Sequence, residues 1–183
     1  MYTTLISVAQ LQALQANGSP LLVVDCTFDL MNPPVGHAQY LEQHITGALH
    51  ADLDKHLATH DAGHRVNGGR HPLPKREVFV TWLQHIGVND DTQVVVYDRN
   101  GMNYCGRLWW MLKWCGHDAV AVLDGGLQAW MTASGTLASG EEVAHASGNF
   151  ALRESLVKLV TTATVSAHLN DGTQTLIDAR GAP

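Results

Sequence analysis

The stretch most suited to chemistry combines a strand, a tight turn and a helix start between Val94 and Trp110. Its opening β-branched run is typical of a strand buried on both faces, and Asn100-Gly101 supplies a turn. From about Asn103 the apolar residues follow helical spacing. Such an arrangement brings backbone N–H groups and a helix N-terminus to one point, which suits an anion or a thiolate. The residue at that point is Asp98, not a cysteine.

Cys105 is the alternative candidate for a nucleophile. It falls in the first turn of the predicted helix, where the helix dipole favours a thiolate, and Arg107 is near in sequence. The competing interpretation is structural packing beneath the loop, because free cysteines are commonly buried. The spacing Cys105-Gly106-Arg107 is also too short for a phosphatase signature. Cys26 and Cys115 are interpreted as core or loop-edge thiols. Because the three cysteines form no C-x-x-C pair and cannot all be bridged, we expect free thiols in a reducing cytoplasm.

Three histidines have a spacing that could form a metal site. On a helix, His56, His60 and His64 would share a face and could bind zinc or nickel. Gly63 and the flanking loop argue against a helix long enough to hold all three. We therefore expect neither a metal nor any other cofactor.

Three further residues are candidates for supporting loops or lining an inter-domain cleft: Asp25, His44 and Arg107. Asp25 ends a predicted strand, where its carboxylate can satisfy loop N–H groups. His44 is expected to tie its loop either to Asp25 or to a backbone carbonyl. For Arg107 two alternatives remain open, an ion pair with an acidic residue or a position in the inter-domain cleft.

The composition limits the classes of function. A net charge of −6 gives no support for nucleic-acid binding. No apolar run approaches the roughly 20 residues of a membrane span, and no signal-peptide pattern precedes Leu5. We expect a cytoplasmic protein with no nucleic-acid or membrane partner.

Strand and helix signals alternate along the chain, which predicts an α/β fold with a central parallel sheet and helices on both faces. Ser7 is the predicted N-cap of the first helix. The stretch from Cys26 to Gly36, which contains Pro33-Pro34, is predicted as a loop. The predicted helices are Val8–Ala16, Gln39–Gln43, Lys75–Gly87, the helix from about Asn103 and Leu127–Ala133. The predicted strands are Leu21–Asp25, Val94–Tyr97 and Ala119–Leu123.

The order of short helix, polar turn and hydrophobic strand ending in Asp occurs twice, which indicates an internal repeat. Its second copy has a helix beginning at Val165–Leu169, ends in a strand over residues 175–180 and is cut off at Pro183. We therefore predict a domain over residues 1–134, a Ser- and Gly-rich linker over 135–150 and the start of a second, truncated domain over 151–183. Apolar residues of this tail lack a sheet, so a homodimer formed through the tail is one expected outcome.

Four groups of residues, in the right order, resemble the rhodanese superfamily. They are Tyr40 to Ala48 with its His44-Ile45-Thr46-Gly47-Ala48 run, His71 to Pro74, Val95 to Asp98 with Arg107 to Trp110, and Gly116 to Trp130. The resemblance is to the N-terminal, non-catalytic domain of two-domain thiosulfate/3-mercaptopyruvate sulfurtransferases. Thr46 replaces the proline that is usual in the first group.

The resemblance implies sulfur transfer from a small anionic donor, thiosulfate or 3-mercaptopyruvate, to cyanide or a thiol through a cysteine persulfide. That cysteine would stand in a loop of the second domain. Here Asp98 occupies the corresponding position and cannot carry sulfur, so we expect no catalytic residue in this chain and no activity from the chain alone. A catalytically silent binding or structural module is the alternative function.

The loop that contains Asp98 also differs from the family in its length. The segment from Asp98 to Arg107 is longer than the family's catalytic loop and carries Met102 and Tyr104. Its N–H groups are therefore not expected to converge on residue 98. On this expectation, Asp98→Cys alone would not create an efficient enzyme.

Overall fold

The computed structural model describes residues 1–61, 63, 69–143 and 146–177. The strands in this part of the chain are β1 (Leu5–Ile6), β2 (Leu21–Asp25), β3 (His44–Ile45), β4 (Leu49–His50), β5 (Gln93–Tyr97), β6 (Val120–Leu123) and β7 (Leu137–Ala138). The helices are α1 (Val8–Ala16), α2 (Pro33–Glu42), α3 (Arg76–His85), α4 (Cys105–Trp114), α5 (Gly126–Thr132) and α6 (Thr162–Ala167).

Five parallel strands in the order β1-β6-β5-β2-β4 form the central sheet of the described residues. β5 lies in the middle, and every one of its residues is buried. Apolar side chains cover both faces of the sheet: α3 and α4 contribute to one buried cluster, and α1 and α5 contribute to the other. The predicted α/β fold, with a parallel sheet between two layers of helices, is confirmed.

Local sequence signals set the starts of two helices. The Ser7 hydroxyl accepts from the Gln10 N–H, and the Gln10 side chain accepts from the Ser7 N–H, so α1 begins with a complete capping box. The prediction of a loop up to Gly36 is wrong, because α2 already begins at Pro33. A proline at the first helical position has a suitable fixed φ and lacks an N–H that would otherwise be unpaired.

The connecting segment (residues 135–150), predicted as a linker, packs against the first domain. β7 in this segment pairs antiparallel with β3. The Gly148 N–H donates to the Gln84 carbonyl at 2.8 Å, and a Cβ at Gly148 would clash with the Val88 carbonyl oxygen. Phe150 is fully buried in the same cluster as α3 and α4. A domain ending at residue 134 would therefore lose part of its own core.

The tail (residues 151–177) repeats local features of the N-terminus. The Thr161 hydroxyl caps α6 by accepting from the Thr164 N–H, as Ser7 caps α1. Gly18 and Gly172 follow these helices in left-handed conformations, with φ of +66° and +74°. Residues 175–177 form no strand, and the rest of the predicted strand, 178–180, lies outside the described residues.

The tail exposes large apolar side chains, including Leu169, Leu176 and Ile177. A homodimer formed through these residues stays a prediction. Among the helices of the described ranges, none is both long enough and apolar enough to cross a membrane.

Candidate functional site

The carboxylate of Asp98 is bound by backbone N–H groups at the carboxyl end of β5. Its Oδ1 accepts from the N–H groups of Asn100 at 2.8 Å and Met102 at 2.9 Å. Its Oδ2 accepts from the N–H groups of Tyr104 at 2.8 Å and Cys105 at 3.0 Å. Asp98 is fully buried, so these hydrogen bonds replace the hydration that the carboxylate loses.

The Asp98 loop (residues 98–105) turns its N–H groups inward through two left-handed residues. Gly101 has a φ of +72° and Met102 a φ of +67°. Glycine adopts this conformation freely, whereas a methionine is held in it by its surroundings. The expectation that the N–H groups would not converge on residue 98 is therefore wrong. The extra loop length allows the chain to pass around the carboxylate and donate to both of its oxygens.

Cys105 lies against this loop as the first residue of α4 and is fully buried. Burial raises the pKa of its thiol well above the ordinary range, and the negative charge of Asp98 raises it further. Because the thiolate is the nucleophilic form, a thiol kept protonated in this way is a poor nucleophile. Burial likewise raises the pKa of Cys26, and the neighbouring Cys105 and Asp25 add to that effect.

Asp25 and His44 are both fully buried and support loops around the sheet. Asp25 Oδ1 accepts from the Thr27 N–H at 2.7 Å. His44 Nδ1 donates to the Tyr40 carbonyl at 2.8 Å, which corresponds to the carbonyl alternative. Its Nε2 lies 3.4 Å from a Glu142 carboxylate oxygen, so the same ring also contacts the connecting segment.

Arg107 contacts backbone carbonyl oxygens, and within the described residues it forms no ion pair with an acidic side chain. Its Nη2 donates to the Leu57 carbonyl at 2.7 Å and to the His71 carbonyl at 2.9 Å. Burial lowers the pKa of the guanidinium. Arg107 therefore fixes two separate loops against the first turn of α4.

The His71–Asp54 pair is a second feature of this edge of the sheet, and the sequence reasoning missed it. His71 Nε2 lies 3.0 Å from Asp54 Oδ1. The ring of Phe28 contacts the rings of both His71 and Tyr104, at centroid distances of 6.1 and 5.7 Å, so the pair adjoins the Asp98 loop. Burial lowers the pKa of His71, while Asp54 partly offsets this effect. A histidine paired in this way can take up and release a proton.

The sequence holds only a weak signal for this pair. His71 belongs to one of the groups of residues that resemble the family, but its partner lies in a polar stretch with several other acidic and histidine residues. Only the folded loops, which Arg107 holds together, show that Asp54 is the partner.

The three-histidine pattern does not form a helical face. His56 lies in a turn, its Nδ1 accepts from the Asp52 N–H at 3.0 Å, and its ring stacks on Trp82. His60 is exposed, and His64 lies outside the described residues. Among the residues that are described, no group of three side chains is placed to hold a metal ion.

A cleft of about 340 Å³ opens between α2, α3 and the connecting segment. Glu141 at its wall pairs with His37 at 2.9 Å, and Glu142 accepts from the Gly47 N–H at 2.9 Å. These contacts attach the connecting segment to the first domain. Glu141 and Glu142 therefore have a structural role at this cleft.

Comparisons with known proteins identify the family of the chain. The Rhodanese-like domain family model matches residues 7–133. The chain is 39% identical over 176 residues to a protein of Pseudomonas aeruginosa named "Probable 3-mercaptopyruvate sulfurtransferase", covering 96% of this chain and 61% of that protein. It is 34% identical over 145 residues to the 3-mercaptopyruvate sulfurtransferase of Escherichia coli, covering 79% of this chain and 49% of that protein. The chain thus spans less than two thirds of the length of these relatives.

Solved structures show the same fold. The crystal structure of SseA from Escherichia coli, described as a 3-mercaptopyruvate sulfotransferase, matches with a TM-score of 0.81 and 26% identity over 98% of this chain and 66% of that chain. The 3-mercaptopyruvate sulfurtransferase from Leishmania major matches with a TM-score of 0.68 and 29% identity over 81% and 40% of the two chains. Since the family model covers more than half of the chain and the sheet has the same architecture, the chain belongs to the rhodanese superfamily.

Proposed function

We propose that this chain supplies the non-catalytic rhodanese-like unit of a sulfurtransferase that contains two such units. The complete enzyme transfers a sulfur atom from thiosulfate or 3-mercaptopyruvate to cyanide or a thiol, through a persulfide on a cysteine of the second unit, and releases sulfite or pyruvate from the donor. The names of the curated relatives support this reaction class, and each of these relatives is longer than the chain.

The observation that carries this proposal is the position of Asp98. The N–H groups at the carboxyl end of the middle strand are arranged to hold a negative charge, and here a carboxylate already fills that place. A carboxylate oxygen cannot take up a sulfane sulfur and release it as a persulfide does. The adjacent thiol, Cys105, is kept protonated by burial and by Asp98. Both features favour a persulfide formed elsewhere in the complete enzyme.

The tail supports the existence of a second unit. Thr161 and Gly172 reproduce the helix cap and left-handed turn that Ser7 and Gly18 form in the first domain. The apolar residues that follow Gly172 occupy the place of β2 in the repeat, although they are exposed here. We therefore interpret α6 as the first helix of the second unit.

The alternative function is a catalytically silent module that binds a partner or supports a larger assembly. The coding sequence distinguishes the two functions. A gene that continues past residue 183 into a second rhodanese-like unit, with a cysteine in the loop after its middle strand, supports the enzyme. A stop codon at that point supports the module.

The biochemical test is a sulfur-transfer assay on the 183-residue chain, with thiosulfate or 3-mercaptopyruvate as the donor and cyanide as the acceptor. We expect no thiocyanate above the rate without protein, and the same result for Cys105→Ser. Thiocyanate formation that disappears in Cys105→Ser would make Cys105 the nucleophile. That result would contradict the assignment of catalysis to a second unit.

A further inference from the structure

We propose that the Asp98 loop is a complete binding site for a small monovalent carboxylate anion, and that the chain's own Asp98 side chain occupies it. Acetate and formate represent the ligand class. The inference concerns binding alone, so it does not depend on the proposed sulfurtransferase reaction.

The site consists of backbone donors that converge on two oxygen atoms. Asn100 and Met102 donate to one oxygen, and Tyr104 and Cys105 donate to the other, at distances between 2.8 and 3.0 Å. Cys105 is the first residue of α4, and Tyr104 is its N-cap. Half of the donors therefore come from the loop before the helix, and the site is more than a helix N-terminus.

The bound carboxylate itself identifies the ligand class. A planar anion with two oxygens satisfies every one of these donors, and backbone dipoles meet its single charge. Two neighbouring groups, the thiols of Cys26 and Cys105, have raised pKa values and are uncharged at neutral pH. A dianion such as sulfate has a different shape and carries a second charge into the same buried space. The site thus favours a monovalent carboxylate.

Contacts that do not involve the carboxylate hold the start of the loop. The Asp98 carbonyl accepts from the Leu127 N–H at 3.2 Å, and the Arg99 carbonyl accepts from the Gln128 side chain at 2.8 Å. The Arg99 guanidinium donates to the Gln39 carbonyl at 2.7 Å. None of these contacts uses the Asp98 carboxylate, so each of them remains possible when that side chain is removed. The vacated donors then favour any anion that can replace the lost carboxylate.

The test is thermal unfolding of Asp98→Gly with acetate, formate or acetamide added at equal ionic strength. This substitution vacates the space of one acetate ion, because it removes a methylene and a carboxylate. We expect the midpoint temperature (Tm) of the variant to lie below that of the wild type and to rise with acetate concentration. Above the dissociation constant, the rise should follow the logarithm of the concentration. The wild-type protein, whose site is filled, should show no comparable rise.

Acetamide has nearly the shape of acetate but no charge, so it separates anion binding from the filling of a cavity. Equal stabilisation of Asp98→Gly by acetate and acetamide would overturn the proposal. Equal effects of acetate on Asp98→Gly and on the wild type would overturn it as well. If Asp98→Gly is unfolded in plain buffer, we expect acetate to restore folding and acetamide to fail. Failure of both acetate and formate would then be the contradictory result.

Asp98→Asn is the matched variant. Its side chain still fills the site, but its NH2 group faces backbone donors and cannot accept from them. We therefore expect a lowered Tm that acetate does not restore. A saturable response of Asp98→Asn to acetate would show that the anion binds somewhere else, and this outcome would also overturn the proposal.

Discussion

Asp98 and Cys105 are joined across one loop, because Asp98 Oδ2 accepts the Cys105 N–H at 3.0 Å while the Asp98 charge raises the pKa of the Cys105 thiol. We therefore expect neither residue to carry sulfur. The carboxylate takes the donors that would stabilise a thiolate, and the thiol stays protonated. The Asp98 side chain thus fills the anion site and also disfavours the thiolate form of Cys105, the nearest cysteine.

The Asp98 carboxylate should contribute strongly to stability. For Asp98→Asn we expect the free energy of unfolding to fall by about 3 kcal/mol, because buried donors lose a charged acceptor. The measurement is urea unfolding. Asp29→Asn is the control, since Asp29 likewise accepts from backbone N–H groups, those of Met31 and Asn32, but at an exposed turn. Equal losses in the two variants would contradict the importance of burial at Asp98.

A cysteine at position 98 should be acidic but inefficient in sulfur transfer. In Asp98→Cys the loop N–H groups should lower the thiol pKa below the usual value of about 8.5, as ultraviolet absorbance of the thiolate would show. We expect little thiocyanate, because position 98 is fully buried and a donor anion cannot reach it while the loop is closed. The variant should carry Cys105→Ser as well, because any thiocyanate then formed cannot come from the Cys105 thiol. Rapid turnover in this background would show that the loop opens readily.

The connecting segment should contribute to the free energy of unfolding of the first domain. Phe150 is fully buried, so Phe150→Ala should reduce the free energy of unfolding by about 3–5 kcal/mol. Leu159→Ala, at a side chain that is 53% exposed, should cost about 0.5 kcal/mol or less. Chemical denaturation of both variants checks this. Similar small losses would show that the segment is only a linker.

Acidification should destabilise the fold through one buried and three partly buried histidines. Burial lowers the pKa values of His50, His56, His71 and His117. The unfolded chain therefore binds more protons as the pH falls below the unfolded pKa of about 6.5, so stability is complete above that pH and is lost towards the lower folded pKa values.

Urea unfolding at about pH 7.5 and about pH 5.5 measures this dependence. His117→Gln is the matched variant, because its amide can still donate to the Thr92 carbonyl, which His117 Nε2 contacts at 2.9 Å. This variant should depend less on pH than the wild type. Stability that stays constant or rises on acidification would contradict the prediction.

The elements that could be predicted from the sequence are those with local signals. The Ser7 cap predicts α1, and the β-branched run predicts β5, both with nearly correct bounds. β1 has only two residues and exists through its pairing with β6, so no local pattern reveals it. The burial of Phe150 depends in the same way on a surface formed by distant helices.

The sequence predicts which residue stands at the end of the middle strand, but not how the loop is arranged around it. The sequence places Asp98 directly after the strand, but the length of the loop predicts that its N–H groups do not converge on residue 98, and the structure shows that they do. Left-handed Met102 explains the error, because sequence patterns do not predict a methionine in that conformation. The His71–Asp54 pair depends on loops that Arg107 joins, and such contacts are decided only in the folded chain.

The central claim, that this chain does not itself carry sulfur, is tested most directly by intact-mass spectrometry after exposure of the folded chain to thiosulfate or 3-mercaptopyruvate. We predict an unchanged mass, because Asp98 holds the anion site and the thiols of Cys26, Cys105 and Cys115 are buried with raised pKa values. The addition of one sulfur atom that cyanide removes, and that maps to one of these cysteines, would contradict the account.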